Sequence, residues 1–327
     1  MRRTTTALVG LSCAAALTLS ACSSDAETST TSAPANAVDG PITIIASTNV
    51  WGSVAEAVAG NLATVESIIA DPSADPHSYE ASPSDAAKVA EASLVVYNGG
   101  GYDEFITDIL GSEGQNVPSV NAFELLDSDH AHKDAEEPED TSHESTDGHN
   151  HGEVNEHVWY NVETAAATAE FIADKLGQLD PENAAQYTAN AEAFHEQVHA
   201  ITDVTAKIAA DYPAVPVAQT EPIAHYLIEE SGLDDKTPED FKDAIEEGTD
   251  PSPASIAATR DLFTSNSVKA LVYNIQTQDA VTQDIRSTAE AAGVPVVEVT
   301  ETLPEGQTYI EWQTKAAQDL DAALSAS

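Results

Sequence analysis

Short apolar runs recur along the chain without polar alternation: Ile42 to Ala46, Leu94 to Tyr97, Val217 to Gln219, Ala270 to Tyr273 and Val294 to Val299. Runs of this length, rich in β-branched residues and apolar on both faces, predict buried strands of a parallel sheet. Helical patterns lie between them, including Val54 to Ala59 and Pro83 to Ala92, the latter behind Ser82 as an N-cap. Gly232 and Gly293 stand where helices should stop. Strands alternating with helices predict an α/β fold with largely parallel sheets.

One segment breaks that alternation. Asp180-Pro181 reads as an N-cap with proline at the first helical position. From there Tyr187, Ala191, Phe194, Val198, Ile201 and Ile208 keep a three-four spacing up to Tyr212-Pro213. The pattern predicts one helix of about 30 residues, ~45 Å long, dividing the strand-helix material into two halves. The expected organisation is a first lobe over 41–179, a stiff connector over 180–211 and a second lobe over 212–327.

The first residues change the picture of where the chain works. Arg2 and Arg3 precede an uncharged, largely apolar run from Ala7 to Leu19, long enough for a signal peptide and too short to span a bilayer. Leu19-Ser20-Ala21-Cys22 resembles a bacterial lipobox, which predicts removal of residues 1–21 and a lipid on Cys22. Cys13, the other cysteine, falls in the discarded segment, so the mature chain has no disulfide. Residues 22–40, rich in Ser, Thr and Ala, read as a flexible tether. The expected location is extracytoplasmic, anchored to the bacterial cell membrane.

The formal net charge is −44 over 327 residues. Such a chain repels phosphate, which excludes nucleic acid as a partner, and it draws cations to its surface. The segment 126–153 is acidic, almost without apolar residues, and holds His130, His132, His143, His149 and His151, half of the ten histidines. It predicts an accessory surface loop that collects metal loosely. The protein is expected to be a monomer.

Strong ligand residues gather at four predicted loops or strand ends: Asp75-Pro76-His77-Ser78-Tyr79-Glu80, Asn155-Glu156-His157-Val158-Trp159, Thr220-Glu221-Pro222 and Thr300-Glu301-Thr302. Ligands of α/β lobes collect outside the carboxyl ends of strands, so these loops should converge. The first of them, followed by Ser82-Pro83-Ser84-Asp85, and the second, after an acidic loop, resemble as a pair the zinc- and manganese-type solute-binding lipoproteins of ABC importers. The resemblance spans the mature chain. It implies two Rossmann-like lobes joined by one long rigid α-helix, and a divalent metal delivered to an importer permease with its ATPase. Position by position, it implies metal ligands at His77, His157, Glu221 and Glu301. The last stands where the family usually has Asp. His225, one helical turn after Glu221, is the rival third ligand. Asn274, at a position often occupied by Glu in the family, is expected behind the ligands. Tyr79 and Trp159 are expected to pack around them.

Two imidazoles and two carboxylates suit a borderline divalent ion, disfavour Ca²⁺ and Mg²⁺ and, lacking thiolate, disfavour Cu(I). Zn²⁺ is expected ahead of Mn²⁺, because it outranks Mn²⁺ at nearly any such site. Two other function classes compete. His195-Glu196-Gln197-Val198-His199 matches the H-E-x-x-H pattern of zinc metalloproteases, yet it falls inside the predicted connector with no continuation of a protease domain. A metal-stapled surface adhesin is the third reading. No enzymatic activity is expected.

Overall fold

The computed structural model describes residues 40–71, 76–77, 79–112, 116–126 and 154–326. The predicted signal peptide, Cys22 and five loop histidines, together with Asp75 and Ser78, lie outside the described residues. The first lobe runs β1 (Ile42–Thr48), α1 (Asn49–Ala59), β2 (Ala63–Ile69), α2 (Pro83–Glu91), β3 (Leu94–Tyr97), α3 (Glu104–Ser112) and β4 (Ser119–Asn121). Its sheet is parallel with order β2-β1-β3-β4, so the apolar runs β1 and β3 are central. Helix α2 starts as read from the sequence: Ser82 Oγ accepts from Asp85 N, and Asp85 returns the bond to Ser82 N at 2.9 Å.

A single-turn 3₁₀ helix, Val158–Tyr160, leads into α4 (Val162–Leu179), and α5 (Ala184–Asp211) follows. Here the prediction is corrected. The long helix begins at Ala184, and Asp180 instead ends α4, its N–H bonded to Leu176 O. The Asp180 carboxylate accepts from Asn183 Nδ2 at 2.6 Å and Tyr187 OH at 3.1 Å, so it braces the corner between two helices. Helix α5 still runs 28 residues, about 42 Å at the α-helical rise.

The second lobe comprises β5 (Pro216–Gln219), α6 (His225–Glu230), β6 (Asp234–Asp235), α7 (Glu239–Glu246), α8 (Pro253–Thr264), β7 (Leu271–Asn274), α9 (Ala280–Ala291) and β8 (Val296–Val299). Its parallel sheet has order β6-β5-β7-β8. Gly232 and Gly293, both at positive φ, follow α6 and α9 as the sequence suggested. The last helix, α10 (Tyr309–Ala326), returns to pack on α5.

The connector stripe does not face water. Tyr187, Phe194, Val198, Ile201 and Ile208 are buried in one core with Ile44 and Trp51 of the first lobe, Val217 and Val272 of the second, and Tyr309, Trp312 and Leu320 of α10. Each such side chain contributes about 1.5–3 kcal/mol on burial, so α5 belongs to the core of both lobes. Among the described residues no helix is long and apolar enough to cross a membrane.

Candidate metal centre

On the first-lobe side, His77 sits in the loop after β2, and fully buried His157 precedes the Val158–Tyr160 turn. Asn155 fixes His157: its Oδ1 lies 2.8 Å from His157 N and 3.1 Å from His157 Nδ1. Asn155 Nδ2 donates to Pro222 O at 2.8 Å, which assigns the Oδ1 end to the histidine. Nδ1 is therefore the donor, and Nε2 is the nitrogen turned to the cavity, the arrangement that orients an imidazole for a metal. Asn98 Nδ2 holds Glu156 O at 2.8 Å, steadying the same loop. Aromatic rings wall the pair: Tyr102 lies edge-on 4.7 Å from His77, and Trp159 is 5.0 Å from His157.

The second lobe supplies carboxylates. Glu221 follows β5, Glu301 follows β8, and both are buried. Asn274, the last residue of β7, donates its Nδ2 to both, to Glu221 Oε1 and to Glu301 Oε1, the latter at 2.8 Å. Thr277 Oγ1 donates to Glu221 Oε2 at 2.7 Å, and Tyr102 OH reaches Glu301 Oε2 from the first lobe at 3.4 Å. Beside this pair stands Glu246, the last residue of α7. Its Oε1 is 3.2 Å from His77 Nε2 and 3.4 Å from His157 Nε2.

Charge in the cavity is unevenly tolerated. Burial raises Glu221 well above the usual carboxylate range, and the charges of Glu301 and Glu246 add to it against the bonds from Thr277 and Asn274. Burial also raises Glu301, although the imidazoles oppose it. For Glu246 burial pushes up, but His157 and His77 outweigh it and hold the carboxyl low. Partial burial pulls His77 down, yet Glu246, with help from Glu301 and Glu156, leaves it raised at about 9.

His77, His157 and Glu301 thus lie near enough to act on one another's charge, and Asn274 ties Glu301 to Glu221. Trp159 packs against His157, while Tyr79 donates to Asp85 at 3.0 Å and stacks on Phe105 instead. His225 does not join: it is exposed on α6, with Glu229 3.7 Å away. His195 sits on α5 with Nδ1 3.0 Å from Glu170, and Glu196 and His199 are exposed. Among the described residues the one set of three or more metal-type ligand atoms within 4.8 Å of one another is His77, His157 and Glu246. Glu246 and Tyr102 escaped the sequence reading. No motif marks Glu246, which looks there like any acid at the end of an amphipathic helix.

The donors fit a divalent transition metal. Three carboxylates and two imidazoles share one cavity with no lysine or arginine among their bonded partners, and a doubly charged cation relieves that repulsion. Two parallel α/β lobes on one helix, with imidazole and carboxylate donors at the carboxyl ends of both sheets, define a class: a two-lobed protein built around a cation-type donor set. The chain belongs to the family described as zinc-uptake complex component A, periplasmic, whose model matches residues 44–323.

Similar proteins include the high-affinity zinc uptake system protein ZnuA of Yersinia pestis, 32% identical over 168 residues, 47% of this chain and 52% of that one. The manganese-binding lipoprotein MntA of Halalkalibacterium halodurans is 28% identical over 160 residues, 49% and 47% of the two chains. The chain spans about half the length of these curated relatives. The fold is shared with the periplasmic zinc-binding protein TroA of Treponema pallidum, at TM-score 0.69 and 15% identity over 88% of this chain and 99% of that one. A laminin-binding adhesin of Streptococcus agalactiae shares it too, at TM-score 0.67 and 22% identity, covering 86% and 99%. The family is one of metal-uptake transport components.

Proposed function

We propose that this protein is an extracytoplasmic receptor that captures a divalent transition metal, Zn²⁺ ahead of Mn²⁺, and delivers it to the permease of an ABC importer and its ATPase. The observation that supports this most is the approach of His77 and buried His157 of one lobe to the carboxylates of the other, Glu246 within 3.4 Å and buried Glu301 close enough to act on both rings. An imidazole-carboxylate shell matches zinc and manganese better than the all-oxygen shells of Ca²⁺ and Mg²⁺. His77, His157, Glu221 and Glu301 are the proposed ligands, with Asn274 orienting the two carboxylates. The ion is cargo, held without a thiolate and exchanged with the importer.

Cys22 is the proposed lipid anchor, and the segment 126–153 the proposed collector of loosely held ions. The protease reading gains no support from His195 and His199, which lie outside the one described ligand cluster. The adhesin reading rests on shared fold alone. Metal analysis of protein purified without added metal tests the proposal: about one tightly held zinc per chain is expected. A chain that retains no transition metal against a competing chelator overturns it.

A further inference from the structure

We propose that Glu246 is itself a metal ligand, closing the cation's shell against both imidazoles from the end of α7. This rests on the reading of the cavity as a metal site and adds a residue that the strand-end motifs do not contain. Three observations meet at one atom. Glu246 Oε1 faces the Nε2 of His77 at 3.2 Å and of His157 at 3.4 Å. Donor atoms sharing a tetrahedral ion at bond lengths near 2.0–2.1 Å stand about 3.4 Å apart, the edge of the tetrahedron. This oxygen is buried, and the groups that face it are the two imidazoles. A buried carboxylate oxygen set between two imidazole nitrogens at that spacing stands where a ligand would.

The tautomer of His157 sharpens the point. Asn155 Oδ1 accepts from its Nδ1–H, which leaves Nε2 as the nitrogen that faces the Glu246 oxygen. Glu221 and Glu301 are served differently: their oxygens already accept from Asn274, Thr277 and Tyr102. Among the described residues Glu246 is the carboxylate whose oxygen faces both imidazoles directly.

The chain folds so as to hold Glu246 there. Phe241 and Ile245 pin α7 to the second-lobe core. Gly248, at φ +63°, takes the left-handed turn that lets the backbone leave immediately past the helix end. The consequence is a shell richer in oxygen than the four-residue set, with three carboxylates available and a link from the ion to a helix rather than to a strand end.

The test uses the full chain with Zn²⁺ as probe, comparing wild type with Glu246→Gln, Glu246→Ala and the neighbouring Glu247→Gln. Competition against a chelator reads affinity, zinc X-ray absorption counts nitrogen and oxygen neighbours, and thermal unfolding without metal checks the fold. Both Glu246 variants should bind roughly 100-fold or more weakly, beyond the range typical of groups that only support a ligand, and the shell should lose one oxygen. Glu247→Gln should match wild type. An unchanged oxygen count in Glu246→Gln overturns the inference whatever the affinity, because a carboxylate acting only on the histidines leaves the shell intact. His77→Ala and His157→Ala separate the two failures. If they bind tightly, the metal-site reading itself is wrong; if they fail while Glu246→Gln keeps its full shell, only the role of Glu246 falls.

Discussion

The two walls of the cavity are built on different principles. The first-lobe wall is local: His157 is oriented by Asn155 two residues earlier, and a side chain at that distance is set by the turn itself. The second-lobe wall is long-range. Asn274 joins Glu221, 53 residues before it, to Glu301, 27 residues after it, and neither carboxylate has a cationic partner among the described bonds. A single neighbour can aim an imidazole, whereas adjacent buried carboxylates must be held together against repulsion. The first wall therefore needs aim, and the second needs containment.

Breaking the aimed wall should cost most. His157→Ala and His77→Ala each remove a nitrogen donor that nothing nearby replaces, and tight Zn²⁺ binding should fall by more than about 100-fold in chelator competition. His225→Ala, exposed on α6, should stay within about threefold, as should the double variant His195→Ala, His199→Ala. A large loss in that double variant would move the site to the connector and undo the comparison.

Breaking the containment should cost less but still show clearly. Asn274→Ala strips the shared donor from both carboxylates, and Zn²⁺ affinity should drop about 10- to 100-fold, the range for groups that orient ligands. Asn274→Asp adds a third negative charge to the pair and should be worse than Ala at neutral pH. Equal affinities for Asn274→Ala and wild type would mean the two carboxylates need no such tie.

The walls should also differ in pH response. His77, raised to about 9, carries a proton in the metal-free cavity that the cation must displace. Apparent Zn²⁺ affinity should rise with pH from about 6 towards 9, by at most tenfold per unit for one proton. An unperturbed histidine, titrating near 6.5, would place this fall lower; the Glu246 carboxylate moves the window up. Chelator competition at several pH values reads the slope, and a flat profile above pH 7 would show His77 already neutral.

What could be read in advance follows the same division. Central strands β1, β3, β5 and β7 were visible as apolar runs because both their faces are covered. Edge position alone does not decide it, since the edge strand β8 was visible as the run from Val294 to Val299; β2, β4 and β6 were not, and β2 mixes Thr64, Glu66 and Ser67 into its run and is only half-buried. The long helix was legible from its stripe, but its start was misplaced, because Asp180-Pro181 satisfies a capping pattern while Asp180 serves Asn183 and Tyr187. In the site, loop position made both histidines and the two strand-end carboxylates candidates, and the family resemblance picked them out. Glu246 does not, since it reaches the cavity only through the packing of α7, and no sequence period encodes that.

The lobes meet at a second place where the electrostatics are reversed, and it gives the smallest expected effect. Glu230, at the end of α6 in the second lobe, is raised to about 7 by burial, by Glu163 of α4 in the first lobe, and by Glu229. Between the ordinary value of 4.5 and about 7, the folded chain binds this proton more firmly than the unfolded chain does. Stability from this group therefore falls as pH rises through that window, and the loss is complete above it. Glu230→Gln removes the charge and keeps the shape. It should raise the Tm of the metal-free protein at pH 8 by a few degrees, about 2–4 °C if the gain is near 1 kcal/mol, and leave it nearly unchanged at pH 4.5. Zn²⁺ affinity should not move, because Glu230 is absent from the ligand cluster. A Tm gain of the same size at both pH values would trace the effect to packing rather than to the like charges across the lobes.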